Sequence, residues 1–97
     1  MDIRINAIHF DISDHLVEFI NKKVERLGRH YVDVTEANVN LKVIKPESAL
    51  NKEASVIVTI PGHEDFVATK VADTFEEAID MSLEALERQL EKFKGKK

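Results

Sequence analysis

The chain has 97 residues, 43% of them hydrophobic and 33% charged, with a formal net charge of −4 and no cysteine. That length holds one domain with a single two-layer core and leaves little room for a buried active-site cavity. The absence of cysteine excludes disulfides, thiolate metal ligands and a cysteine nucleophile, and suits a reducing cytoplasm; no apolar run is long enough to span a membrane, and MDIRINAIHF has no basic-then-apolar leader pattern.

Residues 2–8 alternate, with Ile3, Ile5 and Ala7 on one side and Asp2, Arg4 and Asn6 on the other, the pattern of a half-buried strand. Ser13 is a good N-cap for the helix that follows, and Asp14 suits the positive end of its dipole. Leu16, Ile20, Val24 and Leu27 form the apolar stripe, with Val17 and Phe19 beside it. Gly28 is a natural stop, although the pattern allows one more turn. A second strand is predicted over 36–45, with Ala37, Val39, Leu41 and Val43 inward and Asn38, Asn40, Lys42 and Ile44 outward; Pro46 ends it, because proline has no N–H for the ladder. After the loop PESALNK, residues 53–60 are β-branched and apolar, and read as a more central strand. Pro61-Gly62 marks a turn, and 63–72 a fourth strand whose inward set is either Phe66 and Ala68 or Val67, Thr69 and Val71. The last element is a helix from Thr74 to about Lys94, carried by Phe75, Ile79, Leu83, Leu86, Leu90 and Phe93, with Thr74 and Glu77 placed as a capping box.

These elements predict an α+β fold: a β-α-β-β-β-α two-layer sandwich, a four-stranded sheet with two helices packed on one face. Strands one and two, joined through a helix, are expected to be parallel or nearly neighbouring in the right-handed sense, and the rest to form an antiparallel meander.

The charge is unevenly placed. A negative total argues against phosphate binding, but a partner meets the local distribution. On the first helix Lys22, Arg26 and Arg29 lie on one flank of the apolar stripe, with Lys23 next to them. On the last helix Glu77, Asp80, Glu84, Glu87 and Glu91 line one flank, while Arg88 and Lys92 lie on the other, continued by Lys94, Lys96 and Lys97. If the two basic flanks face each other, they form a positive furrow, and Glu77, Glu84 and Glu91 face solvent or a protein partner. The plainer reading is solvated helix faces with i,i+4 pairs such as Glu18–Lys22 and Glu84–Arg88.

Catalytic patterns are missing. His9, His15, His30 and His63 are not spaced as metal ligands, Gly28, Gly62 and Gly95 are isolated, and no nucleophile turn occurs. Asp80 and Glu84 lie on an exposed stripe with nothing to tune them for proton transfer. Neither an enzyme nor a cofactor is expected.

The last helix, AIDMSLEALERQLEKFKGK, resembles the signature helix of the ribosome hibernation-promoting factors (ribosome-associated inhibitor A or protein Y), through Ala78, Ile79, Asp80, Leu86, Arg88, Gln89, Leu90, Lys92 and Lys94. The second strand is similar to that family's through Val39, Leu41, Lys42, Val43 and Lys45, and the first helix through Phe19, Lys23, Arg26 and Leu27. The likeness runs nearly end to end. It departs at Glu76, where an aromatic residue is usual, and at Glu84-Ala85, where one basic group is lost. The resemblance implies a bacterial, cytoplasmic, non-enzymatic protein, 1–97 being a single ribosome-binding domain of the short form, without a C-terminal dimerisation domain. It implies binding to the small ribosomal subunit, both rRNA and ribosomal proteins, in the mRNA/tRNA channel, with inhibition of translation in starvation or stationary phase. No membrane and no small-molecule substrate are implied. With the helix faces, it points to Lys22, Lys23, Arg26, Arg29, Lys42, Lys45, Arg88, Lys92 and Lys94 as rRNA contacts. The alternatives are a general double-stranded-RNA-binding domain, and a protein-interaction module using the acidic stripe of the last helix.

Overall fold

The computed structural model describes residues 1–45 and 49–95. Its elements are β1 (Asp2–Ile8), α1 (Asp14–His30), β2 (Glu36–Val43), β3 (Lys52–Thr59), β4 (Phe66–Ala72) and α2 (Phe75–Gly95). The strands form one sheet in the order β1-β2-β3-β4. β1 runs parallel to β2, with Asp2 opposite Glu36 and Ile8 opposite Lys42. β2–β3 and β3–β4 are antiparallel. The expected α+β sandwich is therefore the fold. Pro46, Glu47 and Ser48 of the expected loop, and Lys96 and Lys97 of the expected tail, lie outside the described residues.

The core fills the space between one face of the sheet and the two helices. Ala37, Val39 and Leu41 of β2 and Ala54, Val56 and Val58 of β3 have no exposed surface, and they cluster with Ile20, Val24 and Leu27 of α1 and Ile79, Leu86 and Leu90 of α2. Burying such side chains contributes roughly 1.5–3 kcal/mol each. Ser82 is the polar exception on the buried face of α2. It is fully buried, and its hydroxyl donates to the Ala54 carbonyl of β3 at 3.0 Å, so burial leaves it satisfied.

Both helix starts are capped as their sequences predict. The Ser13 hydroxyl accepts from the Leu16 N–H, and the Thr74 hydroxyl from the Glu77 N–H, each at 3.1 Å. α1 does not stop at Gly28. It runs on to His30, where the Tyr31 N–H donates to the Leu27 carbonyl. Met1 lies so close to Gly28 that an added Cβ would stand 2.6 Å from its Cε. Gly28 therefore lies inside the helix, against the end of the flexible Met1 side chain, and does not terminate it.

In β4 the inward set is Phe66, Ala68 and Ala72, fixed by pairing Phe66 with Val58 and Ala68 with Val56. Phe66 continues into a ring cluster that ties the β3–β4 turn to the end of α2. His63 stacks on Phe66 at 4.7 Å, and Phe93 meets both edge-on. Phe10 and Phe75 stack at 4.9 Å, joining the β1–α1 connection to the start of α2.

The far face of the sheet is uncovered and largely polar. There Asn6 donates to Asn40 at 2.9 Å, Thr69 to Ser55 at 3.0 Å, and Arg4 pairs with Glu36 at 3.5 Å. Among the described residues no helix is long and apolar enough to cross a membrane.

Candidate nucleic-acid interface

α1 and α2 lie side by side over the sheet, and an open groove of about 450 Å³ runs between them. Its α1 wall carries Lys23, Arg26 and His30, and its α2 wall Asp80, Glu84 and Glu87. The basic flank of α1 thus faces the acidic flank of α2. This corrects the expected furrow, in which two basic flanks would meet. Three contacts mark the arrangement. Lys23 Nζ stands 3.4 Å from Asp80 Oδ1. The Tyr31 hydroxyl, at the end of α1, donates to Glu91 Oε1 at 3.1 Å. On the opposite flank of α2, Gln89 Nε2 donates to the Val67 carbonyl of β4 at 3.0 Å. That last bond turns the non-acidic flank towards the sheet edge and occupies one of the acceptors β4 would otherwise expose.

The nine cations expected to contact RNA fall into four groups. Lys22, Arg26 and Arg29 are exposed on α1, and Lys23 is half-buried beside them, also lying 5.4 Å from the centre of the Phe19 ring. Arg88 and Lys92 are exposed one turn apart on α2, and neither lines the groove. Lys94 does not continue that pair, as the sequence suggested; it sits at the end of the groove, its Nζ 5.9 Å from the centre of the Tyr31 ring. Lys42 is on the uncovered face of the sheet, in an ion pair of 3.8 Å with Glu53, and Lys45 is exposed just beyond β2 at a φ of 47°. The structure brings together the α1 set and, separately, the Arg88–Lys92 pair. Lys42 lies on the other side of the molecule from both.

The sequence reading overlooked Tyr31 and expected Glu91 to face solvent or a partner. Burial first, then the hydrogen bond to Glu91 and the charges of Glu91 and Glu87, push the Tyr31 phenol above its ordinary value. The negative charge of the α2 wall is therefore felt at the end of the groove. Glu84 likewise lines the groove rather than standing clear of α1. Among the described residues no group of three or more His, Cys, Asp or Glu side chains could hold a metal ion.

Chemically, the helical layer offers positive charge on its outer surface and a channel of mixed sign within. Exposed Lys and Arg on a rigid support can contact a phosphate backbone without reading bases. The Lys23–Asp80 pair is more than a third exposed on both sides and is worth about 0–1 kcal/mol.

Residues 3–97 match the family described as Sigma 54 modulation protein / S30EA ribosomal protein. The chain is 31% identical to a ribosome hibernation promoting factor of Azotobacter vinelandii, over 99% of this chain and 85% of that protein. It is 30% identical to one of Pseudomonas putida, over 99% of this chain and 89% of that protein. A ribosomal subunit interface protein from Coxiella burnetii has the same fold, with a TM-score of 0.86 at 26% identity, covering 98% of this chain and 99% of that one. The N-terminal domain of Thermus thermophilus Protein Y gives 0.79 at 26% identity, covering 96% and 99%. By sequence and by fold, the chain belongs to the Sigma 54 modulation protein / S30EA ribosomal protein family.

Proposed function

We propose that this protein binds the small ribosomal subunit, in the RNA-walled channel that mRNA and tRNA use, and holds the ribosome idle in starvation or stationary phase. The match to the family over residues 3–97, with relatives named ribosome hibernation promoting factor, is the observation that carries the reading. The physical support is the set of exposed cations on the helical layer: Lys22, Arg26 and Arg29 on α1, and Arg88 and Lys92 on α2. They would anchor a rigid wedge to rRNA phosphates, and obstruction would do the rest, with no bond made or broken. No cofactor and no small-molecule substrate enter this account, and the site of action is the bacterial cytoplasm.

The alternatives draw less support. A protein-docking role for the acidic stripe of α2 has to contend with Asp80 and Glu91 already bonding within the chain. A general double-stranded-RNA domain needs positive charge at a helix start, and the first turn of α2 carries Glu76 and Glu77. Sedimentation of a stationary-phase lysate tests the proposal. The protein should travel with small subunits and the particles that contain them at low salt, and leave them at high salt. A protein that stays at the top of the gradient at every salt concentration would overturn it.

A further inference from the structure

We propose that the acidic wall of α2 is an intramolecular competitor for the cations of α1, with Asp80 controlling how far Lys23 engages RNA phosphate. The inference rests on the RNA-binding reading above and adds a residue that limits affinity.

The Asp80 carboxylate occupies Lys23 at 3.4 Å, offering the ammonium the same kind of anionic oxygen that a phosphate would. The pair is not sealed: the two side chains are 39% and 48% exposed, so an incoming strand can reach it. Across the groove Glu84 and Glu87 stand with Asp80, opposite Arg26 and Lys23. At the end of the same wall burial raises the Tyr31 pKa, and the hydrogen bond to Glu91 and the charges of Glu91 and Glu87 add to the rise. Lys22 and Arg29, by contrast, are exposed on α1 and do not line this groove. A strand laid along α1 therefore meets Lys22 and Arg29 clear of the α2 wall. It gains Lys23 only by exchanging the carboxylate for phosphate, and it is repelled as it nears α2. The wall thus weakens binding and disfavours RNA that would settle into the groove, in keeping with a net charge of −4.

The test uses the full chain, titrated against purified small ribosomal subunits and a short RNA duplex across a salt series. The variants are Asp80→Asn, Lys23→Gln, the two combined, Lys22→Glu with Arg29→Glu, and Glu64→Gln as a control of equal charge on the β3–β4 turn. Asp80→Asn should bind about two- to fivefold tighter at low salt, the range an exposed ion pair can supply. Its slope of log K against log salt should steepen by up to about 0.9, because Lys23 then neutralises in full a phosphate that it engages only in part in the parent. Glu64→Gln should match the parent. Lys23→Gln with Asp80→Asn should lose the added slope. Unchanged or weaker binding by Asp80→Asn would overturn the inference, since Asp80 would then be inert or would orient Lys23 productively. So would a steepening that persists without Lys23, or a Glu64→Gln variant that gains as much. If Asp80→Asn changes nothing while Lys22→Glu with Arg29→Glu abolishes binding, the inference falls and the RNA reading stands. If the parent binds neither target, both fall. Thermal melts of each variant should match the parent, because every substituted side chain is at least partly exposed.

Discussion

Leu86→Ala probes the packing that holds α2 in place. Leu86 is fully buried, in the cluster formed by Val39, Leu41, Val56 and Val58 of the sheet with Ile20, Val24 and Leu27 of α1. Truncation removes three carbons from a site closed on all sides, a transfer loss of roughly 2 kcal/mol at about 0.8 kcal/mol per methylene. The remaining cavity adds about 24 cal/mol per Å³. A hydrogen-bonded sheet cannot collapse far into that space, so the total should reach about 3–4 kcal/mol, within the usual ~2–5 for such a change. For a domain of this size that lowers Tm by on the order of 20 °C. The assay is urea unfolding followed by circular dichroism, with Val32→Ala as the control. Val32 is 81% exposed, and its truncation should cost less than about 0.5 kcal/mol. A loss for Leu86→Ala below about 1 kcal/mol, or equal to the control, would refute the placement of α2.

Two further predictions concern polar groups. Tyr31 is the only tyrosine, so phenolate absorbance titrates it alone; its pKa should lie above the ordinary value of about 10, and Glu91→Gln should lower it part of the way, because burial remains. The folded-state value is the raised one, so this group's contribution to stability should be complete below the unfolded pKa and fade as pH rises through the folded one, which alkaline urea titrations check. Ser82→Ala should cost about 0.5–1.5 kcal/mol in urea unfolding, since it deletes the hydroxyl that donates to the Ala54 carbonyl in a buried setting; no measurable loss would mean the hydroxyl bond contributes nothing net.

The elements were legible because each carries its own period. Ile3, Ile5 and Ala7 alternate, Leu16, Ile20, Val24 and Leu27 recur on a helix, and Ser13 and Thr74 mark the starts. The parity of β4 was not legible. Phe66 and Ala68 share their side with Lys70, while Val67 and Val71 are apolar on the other, so only the register against β3 decides. Edge position lets Lys70 stay exposed on the covered side. For the candidate site, a helix wheel assigns Arg26 and Asp80 to flanks but does not say which flank meets the neighbouring helix. Lateral packing settles that, and it set Lys23 against Asp80. Lys42 shows the same gap differently: its outward parity was read correctly, but grouping it with helix cations needed both faces of the sheet at one interface, and Lys42 lies opposite the helices.

The central claim is that the exposed cations of α1 and α2 hold this protein on rRNA. The most direct measurement is equilibrium binding to purified small ribosomal subunits, at several salt concentrations, for the parent and for Arg26→Glu with Arg88→Glu. Both positions are exposed, so the variant should keep the parent's melting curve. The account predicts that parental log K falls linearly with log salt, and that the reversed variant loses at least about tenfold in affinity, as two phosphate contacts become repulsions. Binding indifferent to salt, or a folded reversal that binds and inhibits translation in a cell-free extract like the parent, would contradict it.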